Sequence, residues 1–404
     1  MTIRYPAKVK TDNKNILASG VDTLVLSLDV AWKFDALSEK EPLLFNYLDE
    51  LKEKAKETAT DYHGELDHPY SEPWPFSIKP HGTTGGYAWI LSGSDFTYKI
   101  GNWNTPGPRP SVMIEIRSET LWHLGTEEAM KLSLGIIQKN QGDIVEEKLS
   151  RVDLCVDFLM PEELWTSGLL EYAVTRASDY APYYHHKKLT GIRIGKGIIS
   201  ARLYDKPLEI AQQSKKIWMY DIWQLSQVPE GQKIIRLEFQ MRREALKELG
   251  LNTSHDLIEK SANAWAYCTK EWLKFQDRPG LHHTQRNTLE WWKEIQDGFA
   301  GIQDAEPLVR EKAIRADINR LRQQATGLIT SLHAIKLEEK GIALDTPVSI
   351  QDCVVSYAEE VAKNSDSITN VQPILEQKRS KYHREKTSRE ERVHKMAHFF
   401  SDKC

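Results

Sequence analysis

A chain of 404 residues has room for two or three domains at roughly 150 residues each. With 40% hydrophobic and 28% charged residues, and with 12 Trp, 15 Tyr and 10 Phe, it can build a large core, which excludes disorder throughout. Lys plus Arg number 54 against 58 Asp plus Glu, and the net charge of −4 excludes a uniformly basic DNA-coating protein.

No run of about 18 apolar residues marks a membrane span. The opening MTIRYPAKVKTDNKN lacks the apolar core of a signal peptide. Cys155, Cys268, Cys353 and Cys404 lie far apart without a CxxC pair. That pattern fits a reducing cytoplasm and argues against a zinc ribbon.

In chain order, residues 1–20 read as a polar arm. VDTLVLSLDV (about 22–30) predicts a strand, and the spacing of Leu44, Tyr47, Leu48, Leu51 and Ala55 predicts a helix over 40–58. Residues 59–82, rich in His, Pro, Gly and Asp, read as a loop. YAWILSG (87–93) and FTYKIG (96–101) predict a hairpin, SVMIEIRS (111–118) a strand, and 126–140 a helix. The order then restarts. RVDLCVDFLM (151–160) is a strand, and Pro161 opens a helix reaching about Ala177. GIRIG (191–195) and IISARLYDK (198–206) form a hairpin, and KIIRLEFQMRR (233–243) a last long strand.

A repeated strand, helix, hairpin and strand predicts an α+β domain over 21–245. Its antiparallel-rich sheet would be built from two ferredoxin- or RRM-like halves, about 21–145 and 146–245. Helical periods at 255–276, 286–299, 307–340 and 348–363 predict a helical domain over 246–365. Residues 366–404 form a basic tail, with nine basic against four acidic residues from Lys378 onward. Ile318, Leu321, Ala325, Leu328, Leu332 and Ile335 make an apolar stripe suited to a bundle core, to a homodimer interface, or to both.

The strands carry the chemistry. Residues two apart share a strand face. Arg151, Asp153, Cys155 and Asp157 therefore oppose Val152, Leu154, Val156 and Phe158. Arg236, Glu238, Gln240 and Arg242 oppose Ile235, Leu237, Phe239 and Met241. Glu115 opposes Ile114 and Ile116, and Arg202, Tyr204 and Lys206 share one face. If these strands are neighbours, Glu115, Asp153 and Glu238 converge, and a hard divalent cation, Mg²⁺ or Mn²⁺, relieves their repulsion. Such an ion polarises a phosphoryl oxygen while Arg and Lys neutralise the remaining phosphate charge. Tyr204 is the candidate nucleophile, its phenol needing help to lose a proton. A plain alternative for each carboxylate is a cross-strand ion pair with Arg117, Arg151 or Arg236.

The segment 187–216 holds eight basic residues against Asp205 and Glu209. Among them Lys187, Lys188, Arg193 and Lys196 are candidates, with Arg236, for contact with a polyanion. His185 and His186 beside Tyr183 and Tyr184 add a possible DNA contact. Gly82–Gly86 lacks the Lys-Ser/Thr of a P-loop, so nucleotide binding is not indicated.

SRVDLCVDF (150–158), ISARLYDK (199–206) and IIRLEFQMRR (234–243), in that order, resemble the plasmid rolling-circle replication initiation factor family and the related relaxases of integrative and conjugative elements. The resemblance spans roughly 20–245. It implies nicking of one strand of a DNA origin, single-stranded or in a hairpin, with a 5′-phosphotyrosine at Tyr204 flanked by Arg202 and Lys206. It carries the metal ligands to Asp153 and Glu238, and to Glu115 through the earlier acidic strand. Host helicase and polymerase are the partners such a reaction would meet. No second active-site tyrosine is evident, and the helical region after 250 is longer than in compact plasmid initiators. Nicking of a transfer origin for conjugation, and a non-catalytic origin-binding protein on the same scaffold, are the alternative readings.

Overall fold

A computed structural model describes residues 15–33, 43–70, 72–83, 85–103, 109–277, 282, 285–300, 305–310, 314–342 and 348–363. Most of the polar arm, Cys404 and the basic tail lie outside the described residues. The chain divides into two compact units, Met1–Lys312 and Ala313–Cys404.

In the first unit, β1 (Ile16–Trp32) is followed by α1 (Leu43–Thr58), β2 (Tyr62–Leu66), β3 (Trp74–Ile78), β4 (Trp89–Ser92), β5 (Phe96–Ile100), β6 (Val112–Ile116), α2 (Ser118–Leu124) and α3 (Thr126–Lys139). Then come β7 (Gly142–Pro161), β8 (Ala173–Thr175), β9 (Tyr180–His185), β10 (Lys188–Ile194), β11 (Ile199–Asp205), α4 (Lys206–Glu209), α5 (Met219–Trp223) and β12 (Gln232–Arg242). The unit closes with α6 (Arg243–Glu248), α7 (Ser254–Ala266), β13 (Leu273–Phe275) and α8 (Glu290–Gln296). The second unit holds α9 (Ile314–Glu339) and α10 (Ile350–Lys363), joined through the Lys336 ammonium, which donates to Ser356.

The fold is α+β, dominated by an eleven-stranded sheet in the order β2-β3-β4-β5-β6-β1-β7-β12-β11-β10-β9. Every pairing in it is antiparallel. The long β1–β7 pair is the spine. Outward from it, β6, β5 and β4 follow β1 as β12, β11 and β10 follow β7, each side running backward through the chain.

One sheet face is apolar. Leu24, Leu26 and Leu28 of β1, Leu154 and Val156 of β7, and Leu237 and Phe239 of β12 are buried there. They pack with Leu48 of α1, Ile136 of α3, and Trp265 of α7, whose ring meets Phe239 edge-on at 5.4 Å. The helical segments at 255–276 and 286–299 thus belong to the core of the sheet domain, leaving α9 and α10 as a separate unit. Leu328, Leu332 and Ile335 of the predicted stripe are exposed.

Several local expectations change. The region read as a loop contains β2 and β3. The helix expected after Pro161 is two 3₁₀ turns, Glu162–Leu164 and Ser167–Tyr172, then β8, because Thr166-Ser167-Gly168 interrupts it with poor helix formers. The helix expected over 255–276 ends in a π turn, Tyr267–Trp272, from which the chain extends into β13.

Candidate active site

The second face of β7, β12 and β11 is polar, and cross-strand register orders it in rows. Gln240 of β12 lies between Ser200 and Asp153, Glu238 between Arg202 and Cys155, and Arg236 between Tyr204 and Asp157. These rows divide into an open end and a sealed end.

At the open end, the Arg202 guanidinium donates to Glu238 Oε1 and stands 3.7 Å from Asp153 Oδ2. Arg151 holds Asp153 with both Nε, at 2.8 Å, and Nη2. With its amide oxygen turned toward Arg151, as the hydrogen-bond network requires, Gln240 accepts from the same guanidinium at 2.6 Å. The Tyr204 hydroxyl donates to Glu238 Oε2 at 3.0 Å. Asp153 and Glu238 are buried while the Arg202 side chain is 45% exposed, so this cluster has one side toward solvent.

Burial pushes the Asp153 carboxyl up to about 7. The Arg151 hydrogen bond opposes that rise, and the neighbouring Glu238 charge adds to it. Burial, and then the Glu238 charge, also holds the Tyr204 phenol well above its ordinary value. The phenol therefore needs an adjacent base to lose its proton, and Glu238 is in hydrogen-bond reach.

The sealed end is closed by α2, α4 and α5. The Arg236 guanidinium, fully buried, donates to Asp157 through Nε at 2.6 Å and Nη2 at 2.7 Å, and to Asp22 through Nη1 at 2.6 Å. The Trp223 indole also donates to Asp157, at 2.8 Å, while Ser118 and Trp122 donate to Asp22. Burial alone would raise Asp22. Arg236, Lys216 and Lys206 outweigh it and hold Asp22 well below the usual carboxylate range. Gly20, beside Cys155 in register, leaves room for Trp122: a Cβ there would already touch the ring at 3.4 Å.

Of the residues singled out from sequence, Tyr204, Arg202, Asp153 and Glu238 are brought together. Glu115 is not. It sits on β6, two strands from Asp153, and its carboxylate makes no hydrogen bond or ion pair among the described residues. Lys206 stays beside Tyr204, its ammonium 5.6 Å from the ring centre, but it begins α4, is buried and donates to Glu209 at 2.6 Å. Arg236 is likewise internal. Its charge is consumed by two aspartates rather than offered to DNA. Arg193 and Lys196 both pair with Asp179, at 2.9 and 2.8 Å, whereas Lys187 and Lys188 are exposed without an acidic partner among the described residues. Sequence reading left Arg151 and Gln240 out of the site, although their period-two phase with Asp153 and Glu238 was the available signal.

Of the three carboxylates expected to share a divalent cation, only Asp153 and Glu238 stand together, and each already accepts from an arginine. Among the described residues no group of three or more His, Cys, Asp or Glu side chains converges. Asp153 and Glu238 are close enough to raise the Asp153 pKa, and Mg²⁺ commonly takes one or two carboxylates and completes its shell with water and substrate phosphate oxygens.

No protein-family model and no curated protein matches the chain. Among solved structures, a rolling circle replication initiator protein from Geobacillus stearothermophilus is similar at a TM-score of 0.40 and 11% identity, over 72% of this chain and 99% of that one. Among the described residues, no helix is long and apolar enough to cross a membrane.

Proposed function

We propose that the protein is a DNA-nicking and strand-transfer enzyme that initiates rolling-circle replication through a tyrosyl–DNA intermediate at Tyr204. One observation carries this reading. The Tyr204 hydroxyl donates to a buried carboxylate, Glu238, at 3.0 Å, with the part-exposed Arg202 on the same carboxylate. A tyrosine, a base and a phosphate-binding cation within one contact shell make up the nucleophile set for phosphoryl transfer.

Tyr204 Oη attacks the scissile phosphorus as its proton passes to Glu238 Oε2. The bond from phosphorus to the 3′ oxygen breaks, and that oxygen leaves as a 3′-hydroxyl after taking a proton from solvent. The 5′ phosphate stays on Tyr204. Arg202, released from Glu238 as that group gains a proton, pairs with the phosphate oxygens and offsets the charge that develops there. Attack by a 3′-hydroxyl on the phosphotyrosine reverses the step and rejoins a strand. Asp153, with Glu238 while it is ionised, would hold a divalent cation, which would supply further polarisation of the phosphate.

The test uses labelled single-stranded and hairpin oligonucleotides from the chain's own locus, with Mn²⁺ or with EDTA, on a denaturing protein gel. A shifted band that needs Mn²⁺ and vanishes in Tyr204→Phe is expected. An origin sequence as the substrate supports replication, and a transfer-origin sequence turns the same chemistry toward conjugation. Tight binding with no adduct on any substrate would make the chain a non-catalytic DNA binder.

A further inference from the structure

The outer hairpin of the sheet carries a feature the nicking chemistry does not use. On β10, Gly191 lies opposite Tyr204 of β11. On its other side it lies opposite Tyr183 of β9. Residues paired in register point to the same face, so Tyr204, Gly191 and Tyr183 form one row on the polar face. Two strand spacings put Tyr183 about 10 Å from Tyr204, with no side chain between them.

The backbone does not demand glycine at 191, because its φ is not in the left-handed region. A Cβ there would sit 3.2 Å from the Leu203 carbonyl oxygen and 3.3 Å from the Tyr204 Cβ, on the flank of the nucleophile. Glycine inside a strand marks a bulge or a close approach to the backbone, and the register shift between Leu189 and Gly191 puts a bulge beside it. Tyr183 is 49% exposed, and its hydroxyl has no hydrogen-bond partner among the described residues. Lys188 and His185 face each other one step further along this face, and Lys187 stands at the turn. Lys187 and Lys188 are exposed and free of acidic partners among the described residues, whereas Arg193 and Lys196 share Asp179. Tyr184 is as exposed as Tyr183 but pairs with Leu189 on the opposite face.

We infer that this row is a platform for unpaired DNA: Tyr183 stacks on a base, the strand crosses the bare backbone at Gly191 toward Tyr204, and Lys187 and Lys188 meet its phosphates. A stacking aromatic beside uncompensated lysines suits a single strand, because paired bases do not offer their faces. The inference takes its direction along the strand from the reading of Tyr204 as nucleophile, while the binding itself does not depend on cleavage.

Fluorescence anisotropy of a labelled (dT)20 strand with the full chain in EDTA tests it. Tyr183→Ala should weaken binding about 10-fold, and Tyr183→Trp should restore it to within about twofold. Tyr184→Ala should bind within about twofold of the parent, and a blunt duplex should be indifferent to Tyr183→Ala. An unchanged (dT)20 affinity in Tyr183→Ala, no (dT)20 binding by the parent, or an equal loss of duplex affinity would overturn the platform. The two readings fail separately. Lost (dT)20 binding in Tyr183→Ala without any Tyr204 adduct keeps the platform and removes the nuclease. A normal adduct with unchanged (dT)20 binding does the reverse.

Discussion

The two ends of the polar face use the same chemistry on the same strands and reach opposite conditions. Asp153 and Asp157 lie four residues apart on β7, and Glu238 and Arg236 two apart on β12. At the sealed end, one guanidinium serves two aspartates, two indoles and a hydroxyl complete the shell, and helices exclude water. At the open end, two arginines and a tyrosine crowd two carboxylates, both arginines reach solvent, and Asp153 is pushed toward neutrality. The same residue types form a covered ion-pair network at one end and a solvent-facing one at the other. What separates them is the cover of Trp122, Met219 and Trp223 over one end only.

The comparison breaks most directly at the arginines. Arg236→Ala leaves Asp157 and Asp22 buried without their cation, and breaking such a pair typically costs about 3–5 kcal/mol. Urea denaturation should show that loss. Arg202→Ala, at a part-exposed position where Tyr204 still donates to Glu238, should cost less than Arg236→Ala yet remove phosphate neutralisation from the nicking reaction. Equal stability losses would erase the distinction between the two ends. The next effect is on rate. Glu238→Gln keeps a hydrogen-bonding side chain beside Tyr204 but no base, and adduct formation should slow about 10²–10³-fold. A Glu238→Gln protein that reacts at the parent rate would remove Glu238 from proton transfer.

Much of the open end was legible in sequence because it needs only alternation. Once β7, β11 and β12 are neighbours, period two puts Asp153, Arg202, Tyr204 and Glu238 on one face. Alternation does not reveal which part of that face is covered, so Arg236 read as a DNA contact and Lys206 as a phosphate-neutralising neighbour of Tyr204, although α2, α4 and α5 bury both. Asp22 escaped for another reason. A register shift between Val21 and Thr23 breaks the period of β1 where Asp22 sits. Gly64 and Pro75 disguised β2 and β3 as loop. The fold tolerates Pro75 because β4 pairs with β3 only at Ser77 and Ile78. Glu115 has the right phase but stands two strands too far away, a matter of sheet order that no single strand encodes.

A proton sharpens the contrast. The folded Asp153 value of about 7 lies above its ordinary 3.8, so the folded state binds a proton that the unfolded chain has released between about pH 4 and 7. The stability this group contributes is complete below about pH 4 and is lost as pH rises through 7. In metal-free buffer, unfolding free energy should fall on the order of 2 kcal/mol between pH 5 and 8. Asp153→Asn should flatten that slope. Mn²⁺ should stabilise the parent more at pH 8 than at pH 5, because it competes with the same proton. Parallel pH profiles for the parent and Asp153→Asn would mean that Asp153 titrates normally.

The smallest expected effect tests whether the ends are independent. Trp223→Phe removes one donor from Asp157 Oδ2 but leaves the Arg236 Nη2 bond to the same oxygen, so no charge is stranded. The loss should stay near 1 kcal/mol, the value of a single hydrogen bond, and far below that of Arg236→Ala. The rate of adduct formation at saturating oligonucleotide should not move, because Glu238 and Tyr204 keep their partners. Arg236 and Glu238 are nonetheless on one strand, and Tyr204 is the register neighbour of Arg236. If loosening the lid over Asp157 lets Arg236 shift, β12 shifts with it, and the 3.0 Å contact at Tyr204 lengthens. A Trp223→Phe protein that is nearly as stable as the parent but nicks tenfold more slowly would then make the sealed end a positioning device for the open one.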